Sequence, residues 1–478
     1  METSRTRWFF WVVLLLLFGI AATLRIRASL NELWLDEIWS LDIAFRSPTL
    51  FSLFQEKVDN NHLLNTMWLW WLGKGQPDWM YRSLAVFASC LAVGVAGWVG
   101  WGQSRLIKDD MSLRQAGCLF AMILVGFSYP LLLSGTEARG YSFLVFFSLL
   151  SWGAFLRGLS SRSLVWPLLY GMSGVFAIFS HLTSLFLFVG VGLWTLGYIR
   201  RNKLPRQAAL RYLFQWHCLP AISTIVLIFS FLLFSKIGGG PHWTYRGVLG
   251  ETAGLLLGIP ESYGFSLAFP LFVLILIVSF RLLTNQNKRL SLLYLVVMFG
   301  LPSMLLLIRP VYLAPRYFLV TMALFMCLLS LSLSVAWMKS WKWKFAISVF
   351  VASSCIGNLH DMSELFQKGR GSCLPMMKQI AAQSDKPVMV VYDHKIRTKK
   401  VLDYYRKYNA FGARLSLFPH DSIQRLKAKW LFVHQVGRMP EPPDEFFRDY
   451  VRYRLVRRTS TARGSGLHWY LYKRIGYR

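Results

Sequence analysis

Asp36 and Glu37 stand side by side in LWLDEIWSL, residues 33–41, just past the first long apolar run of the chain. A carboxylate among tryptophans and leucines is costly unless it is paired or protonated. Such a position asks for a basic partner or offers a base for proton transfer. If residues 30–41 form an interfacial helix, Leu30, Leu33, Trp34, Ile38 and Leu41 share one face with Glu37. Asp36 then lies about 100° away. Taken alone, the pair is better explained as two solvated acids in a wet loop.

Three arginines change that balance. Arg82, Arg139 in GTEARGY and Arg316 in RPVYLAPRYF each precede an apolar run. A helix N-terminus presents free N–H groups and the positive end of the dipole, and a guanidinium grips phosphate oxygens bidentately. Each arginine alone is better explained by snorkelling to a lipid headgroup. His62 in VDNNHLLNTMW and His181 in FSHLTS join this set. A lone histidine is more often a satisfied core residue than a catalyst.

The elements that must position these residues are membrane helices. The chain has 478 residues, 55% hydrophobic and only 16% charged, too apolar for a soluble domain of this length. About eleven runs are long enough to span a bilayer, beginning near Trp8, Ser83, Gln115, Tyr141, Leu164, Leu182, His217, Phe265, Leu290, Tyr317 and Phe345. The first, behind Arg5 and Arg7, has no small-residue cleavage site after it and reads as a retained span. The net charge of +30 is scattered between spans rather than gathered with aromatics on one face, which excludes nucleic acid as the partner. The six cysteines show no Cys-x-x-Cys pair and no metal-ligand spacing.

Basic loops alternate along the chain, and the positive-inside rule puts them in the cytoplasm. The other connections then face outward, among them a first outer loop over 28–81 and a later one over 237–262. The later loop starts GGGPHWTYRG and continues into an apolar stretch too short to span. A hinged lid and a plain connection fit it equally. Residues 1–358 form the transmembrane domain, and residues 359–478 a soluble domain on the outer side. In that tail KPVMVVYDH, ARLSLF, KWLFVHQV and LHWYLYK read as strands; KKVLDYYRKY, HDSIQRLKAK and PDEFFRDYVRYR read as amphipathic helices. The expected fold is thus a polytopic α-helical membrane protein carrying a small C-terminal α/β domain.

In order, LWLDEIWSLDIA, NNHLLNTMWLWW, YRSLAVFAS, SGTEARGYSFLVFFSLLS, FSHLTSLF and RPVYLAPRYFLV resemble the motifs of C-superfamily membrane glycosyltransferases, in the protein O-mannosyltransferase and lipid A aminoarabinose transferase branch. The resemblance covers roughly the first 360 residues. It implies an enzyme that moves a sugar from a polyprenyl-phosphate carrier to an acceptor glycolipid, glycan or protein outside the cytoplasm. Asp36 matches the family's first-loop acid, the catalytic base, and Glu37 its neighbour. Arg139 with Glu137, in the motif that ends at Tyr141, and Arg316 with Tyr317 match motifs near the carrier phosphate and sugar. His62 falls where relatives carry His-Pro-Pro; here Leu63 and Leu64 replace the prolines. Some relatives bind a divalent metal and others do not, and no dense acidic cluster here requires one.

A phosphate leaving group needs cations more than a general acid, which Arg139 and Arg316 would supply, and one base with one displacement inverts the anomeric centre. Short loops point to a bacterial inner membrane. A secondary transporter or flippase of an anionic lipid-linked substrate is the alternative. It would place ionisable groups and broken helices near the midplane, often in two related halves, and the sequence shows no repeat.

Overall fold

The computed structural model of the protein describes residues 4–58, 60–161, 163–234, 244–308, 313–422, 428–437, 440–448 and 451–477. The helices in chain order are α1 (Ser4–Ala28), α2 (Leu35–Arg46), α3 (Leu63–Leu72), α4 (Asp78–Arg105), α5 (Met111–Gly126), α6 (Tyr129–Gly135), α7 (Tyr141–Gly158), α8 (Val165–Ser180) and α9 (Leu185–Arg201). They continue with α10 (Arg206–Ser230), α11 (Tyr245–Leu257), α12 (Phe269–Gln286), α13 (Lys288–Ile308), α14 (Leu319–Trp337), α15 (Trp341–Lys368), α16 (Leu374–Ala381) and α17 (Arg397–Lys407). Every apolar run read from the sequence falls on a helix. Among the described residues eight helices are long and apolar enough to cross a membrane, nine if α5 and α6, bent by 60° at their junction, make one span. The chain is a multi-pass membrane protein with a small mixed sheet near its C-terminus.

Two compact units emerge. The first comprises residues 1–29, 49–68 and 82–360; the second comprises 30–48, 69–81 and 361–478. In the first unit α14 is the hub, with 89% of its membrane window buried against 22% for α1. The most extensive packing joins α7 to α8, α9 to α13, α10 to α8 and α14 to α5. A polar chain runs through this core: Trp152 Nε1 donates to Tyr294 Oη at 3.2 Å, Tyr294 donates to Gln103, and Gln103 Nε2 donates to the carbonyl of Cys327 at 2.7 Å.

The break between α5 and α6 frees backbone groups that hydrocarbon cannot solvate, so protein must meet them. Arg25, fully buried on α1, donates to the carbonyls of Gly126 at 2.9 Å and Val125 at 3.1 Å. Asn358 on α15 accepts from Tyr129 N at 2.7 Å and satisfies the first turn of α6.

The second unit contains a six-stranded sheet of β1 (Val388–Tyr392), β2 (Leu415–Pro419), β3 (Trp430–Gln435), β4 (Glu445–Arg448), β5 (Val451–Thr459) and β6 (His468–Tyr477) in the order β2-β1-β3-β6-β5-β4. β1 lies parallel to β2 and β3, and the remaining pairs are antiparallel. The expected strands and the KKVLDYYRKY helix are present. Of PDEFFRDYVRYR, residues 449–450 lie outside the described residues, and the rest is not helical. It forms parts of β4 and β5, because Val451 and Tyr453 are buried while Arg452 and Arg454 face out, a period of two. Of HDSIQRLKAK, residues 423–427 lie outside the described residues, and His420–Ser422 form a 3-10 turn.

The two stretches of the first loop in this unit are tied to the tail. Tyr405 Oη donates to the carbonyl of Leu33 at 2.8 Å, and Leu374 N donates to Glu32 Oε2 at 3.2 Å. Burial raises the Glu32 carboxyl above its ordinary range.

Of the expected loop over 237–262, residues 237–243 lie outside the described residues. The apolar remainder is α11, capped by Thr244 Oγ1, which accepts from Gly247 N at 3.1 Å. It ends at Gly258, with φ of +70°. A Cβ at Gly258 would lie 2.7 Å from Ser354 O and 2.8 Å from Asn358 N, both on α15. Gly258→Ala therefore combines backbone strain with a clash and should destabilise the protein by about 2–3 kcal/mol. A thermal scan in detergent checks this, and an unchanged midpoint would mean that α11 and α15 do not meet so closely.

Candidate functional site

In the first unit, three connections between helices fold together. Asn61 Nδ2 donates to the carbonyls of Leu53 at 2.7 Å and Glu56 at 3.0 Å, rounding the loop before α3. His62 ends that loop, and its carbonyl accepts from Thr66 N at 2.9 Å to start the helix. Between α6 and α7 the chain turns sharply, with Arg139 N donating to Glu137 O at 2.7 Å. Asn65 Nδ2 pins this turn through the Ala138 carbonyl at 2.7 Å. Gly140 completes it where a Cβ would meet Ser180 O at 2.3 Å and His62 Cβ at 2.9 Å. The third connection joins α8 to α9 through His181, whose Nδ1 accepts from Thr183 N at 3.2 Å. The ring proton of neutral His181 therefore sits on Nε2.

These connections stack four rings. His62 lies on His181 with centroids 5.2 Å apart, and each lies within 5.3 Å of the Tyr141 ring. Tyr317, in the 3-10 turn before α14, adds a fourth ring 6.4 Å from His181. Around them sit the charges. Arg139 is only 4% exposed; its Nη2 donates to Asn60 Oδ1 at 2.7 Å and its Nη1 lies 3.7 Å from Glu137 Oε2. Its guanidinium covers the Tyr141 ring at 4.8 Å, and that of Arg316 lies 6.0 Å from the Tyr317 ring centre.

The histidines register this field. Burial first, then the Arg139 charge, holds His62 well below the ordinary imidazole range. Burial followed by Arg139 and Arg316 lowers His181 to about 3. Both rings are neutral at physiological pH. Buried His62 Nε2 has no hydrogen-bond partner among the described residues. The cluster sets guanidinium groups beside largely buried rings, a combination suited to an anion attached to an apolar ring face.

Seven sequence candidates thus come together: His62, Glu137, Arg139, Tyr141, His181, Arg316 and Tyr317. Arg82 is fully buried on α4, where its Nη1 donates to the carbonyl of Ser29 at 2.9 Å. Asp36 and Glu37 belong to the second unit. The helix expected over 30–41 begins only at Leu35, with Trp34 extended before it. Glu37, wholly buried, accepts from Trp34 N at 3.1 Å, so its burial is met in part by capping the first turn of α2. Asp36 occupies the same turn, half-buried, and its backbone carbonyl accepts from Ser40 Oγ at 3.1 Å. The sequence reading missed Asn60 and Asn65 as positioning residues. Their only sequence signal is the repeated asparagine of VDNNHLLN. Among the described residues no three His, Cys, Asp or Glu side chains form a group able to hold a metal ion.

No family model and no curated protein matches the chain. Solved structures do. ArnT from Cupriavidus metallidurans in the apo state is similar at a TM-score of 0.52 and 12% identity, over 90% of this chain and 93% of that one. The same protein bound to undecaprenyl phosphate is similar at a TM-score of 0.50 and 13% identity, over 96% of this chain and 98% of that one. The chain has a fold similar to that of ArnT.

The depressed histidines set a pH dependence. Between about 6.5 and 3 the unfolded chain takes up a proton that folded His181 refuses, and His62 is lowered in the same direction, so stability falls as pH drops through that window. His181→Gln removes one of the two titrations. Thermal midpoints measured from pH 7 to pH 4 should decline less steeply for this variant than for wild type, whereas parallel declines would mean that His181 is protonated in the fold.

Proposed function

We propose that the protein is a membrane glycosyltransferase that takes a sugar from a polyprenyl-phosphate carrier and transfers it to an extracytoplasmic glycolipid, glycan or protein. The observation that carries this reading is Arg139, a guanidinium buried between Asn60, Glu137 and the Tyr141 ring with Arg316 in electrostatic reach of the same histidines. Burying the Arg139 cation costs free energy that a bound phosphate would help recover. The undecaprenyl phosphate held by a structure of the same fold supports a polyprenyl carrier.

In the proposed reaction an acceptor oxygen attacks the anomeric carbon while the bond from that carbon to the carrier phosphate breaks. The phosphate departs with the electron pair, its charge met by Arg139 and Arg316. The sequence motif alone assigns the acceptor proton to Asp36, whose turn is held by Glu37. Backside attack inverts the anomeric centre. His62, with an open buried nitrogen, and His181, Tyr141 and Tyr317, with their rings, line the sugar side. Arg82 joins the ligand-binding set from the sequence alone. The assignment places the reaction at the outer surface of a bacterial inner membrane, with residues 359–478 on that side.

A transporter would share the broken helix of α5 and α6, using its freed carbonyls to bind an ion. Here the Arg25 guanidinium already occupies the Val125 and Gly126 carbonyls, which argues against an ion site there.

Transfer of radiolabelled sugar from membrane polyprenyl-phosphate carriers to lipid, glycan and protein fractions tests the proposal at equal protein levels. Asp36→Asn should lower the rate by about 100-fold or more. Arg139→Gln should cost about 100- to 1,000-fold while the protein still accumulates in membranes. Equal labelling by wild type and Asp36→Asn would dismiss Asp36 as the base. Absence of label with every sugar would return the transporter to consideration.

A further inference from the structure

The second unit holds a cavity that none of this chemistry uses. It has a volume of about 520 Å³, within the roughly 300–1,000 Å³ typical of small-ligand sites. Six cationic side chains line it, Arg46, Lys74, Lys395, Lys399, Lys400 and Lys407, against two carboxylates, Asp42 and Asp403. Lys400 bonds Asp42 at 2.6 Å, Lys399 pairs with Asp403, and Lys395 pairs with Asp421 at 2.6 Å. Lys74 and Lys407 have no carboxylate partner among the described residues. Instead they lie over rings, Lys74 with its Nζ 6.0 Å from the Phe45 centroid and Lys407 with its Nζ 5.4 Å from that of Tyr408.

The floor of the cavity is aromatic. Phe45, Tyr404 and Tyr408 line it, with Tyr404 and Tyr408 in contact at 5.0 Å between centroids. Excess positive charge over aromatic faces is what a charged sugar requires, since its C–H face packs on a ring while its anionic substituent takes the ammonium groups. Lys395 and Ile396 enter from the connection that follows β1, beside the start of α17, where the helix dipole adds to the positive potential. A flat lipid surface would leave this concavity empty.

The same helix carries the candidate base. Asp36 lies in the first turn of α2 and the cavity lining on that helix runs from Ile38 to Arg46, so at 1.5 Å per residue the cavity wall begins about 3 Å along the axis from Asp36. A saccharide seated there reaches the first turn of α2 with its next residue.

We propose that this cavity binds a phosphorylated saccharide, the acceptor or the part of it next to the accepting group. Its role as an acceptor site rests on the glycosyltransferase reading; the binding itself does not. The full-length protein is reconstituted in nanodiscs of phosphatidylcholine, and fluorescence anisotropy is read with labelled pentamannose phosphate and with the same oligosaccharide after phosphatase treatment. The phosphorylated probe should bind at least about tenfold tighter, and Lys74→Gln combined with Lys407→Gln should abolish that preference. Both lysines are exposed, and an unchanged thermal midpoint shows that the variant is folded. Inorganic phosphate should displace the probe only at far higher concentration. Equal binding of the two probes, an unaffected double variant, or displacement by inorganic phosphate at the concentration of the probe would overturn the proposal. Asp36→Asn should bind like wild type; loss of transfer with binding intact separates failure of the reaction from failure of this site.

Discussion

The break between α5 and α6 is the constraint on which the candidate site depends. A helix bent by 60° within apolar surroundings exposes carbonyls and an amide that no water reaches, and each costs several kcal/mol unless protein meets it. Arg25 and Asn358 meet them from α1 and α15. With the bend secured, α6 is only seven residues long and delivers the Thr136–Gly140 turn directly against α3. Gly140 then has no room for a side chain between Ser180 and His62, so the turn and the two histidine-bearing connections are fixed together. The ring stack follows from backbone proximity, and the guanidinium of Arg139 follows from the ring stack.

Electrostatics works in the same direction. Arg139 sits where water is scarce, and the 3.7 Å separation from Glu137 is longer than a direct hydrogen bond. Neutral histidines beside the arginines avoid adding charge, and a hydrogen bond between His181 Nδ1 and Thr183 N keeps that ring in one tautomer. Such preorganisation lets the donors face an incoming anion without rearranging, which is where electrostatic stabilisation gains most over water.

Much of this was legible in the sequence, and the failures have physical causes. Apolar runs announce membrane helices because the bilayer imposes their length, and every run became a helix. GTEARGY, FSHLTS and APRYF mark the residues that the fold brings into one cluster, a convergence that no one of them shows alone. Arg25 was invisible, since at the end of the first run it reads like any snorkelling residue until the α5–α6 break is seen. The capping contact of Glu37 was hidden because a capping glutamate is usually paired with Ser, Thr, Asp or Asn three residues before, and here the residue is Trp34. In PDEFFRDYVRYR the alternation of Val451, Arg452, Tyr453 and Arg454 carried the strand signal, but charged residues at helical spacing masked it.

Within the second unit, the sheet and the first-loop segments are one construction. Tyr405 on α17 fixes the carbonyl of Leu33, Asp78 Oδ2 accepts from Leu33 N at 3.4 Å, and Lys400 reaches Asp42 near the other end of α2. The residues before α2 and the last turns of α2 are therefore both anchored by groups of this unit, two of them on α17. Asp36 lies between those anchors, so its direction is set by the tail of the chain as much as by its own helix. That explains why a small α/β module follows the membrane helices without any phosphate loop of its own. Its chemistry is to hold α2 in place and to form, on the flank of the same helix, the cationic wall of a cavity. Where the proposed base and a charged recess share one helix, a ligand in the recess is positioned relative to that carboxylate by backbone geometry, an economical way to hold it in register.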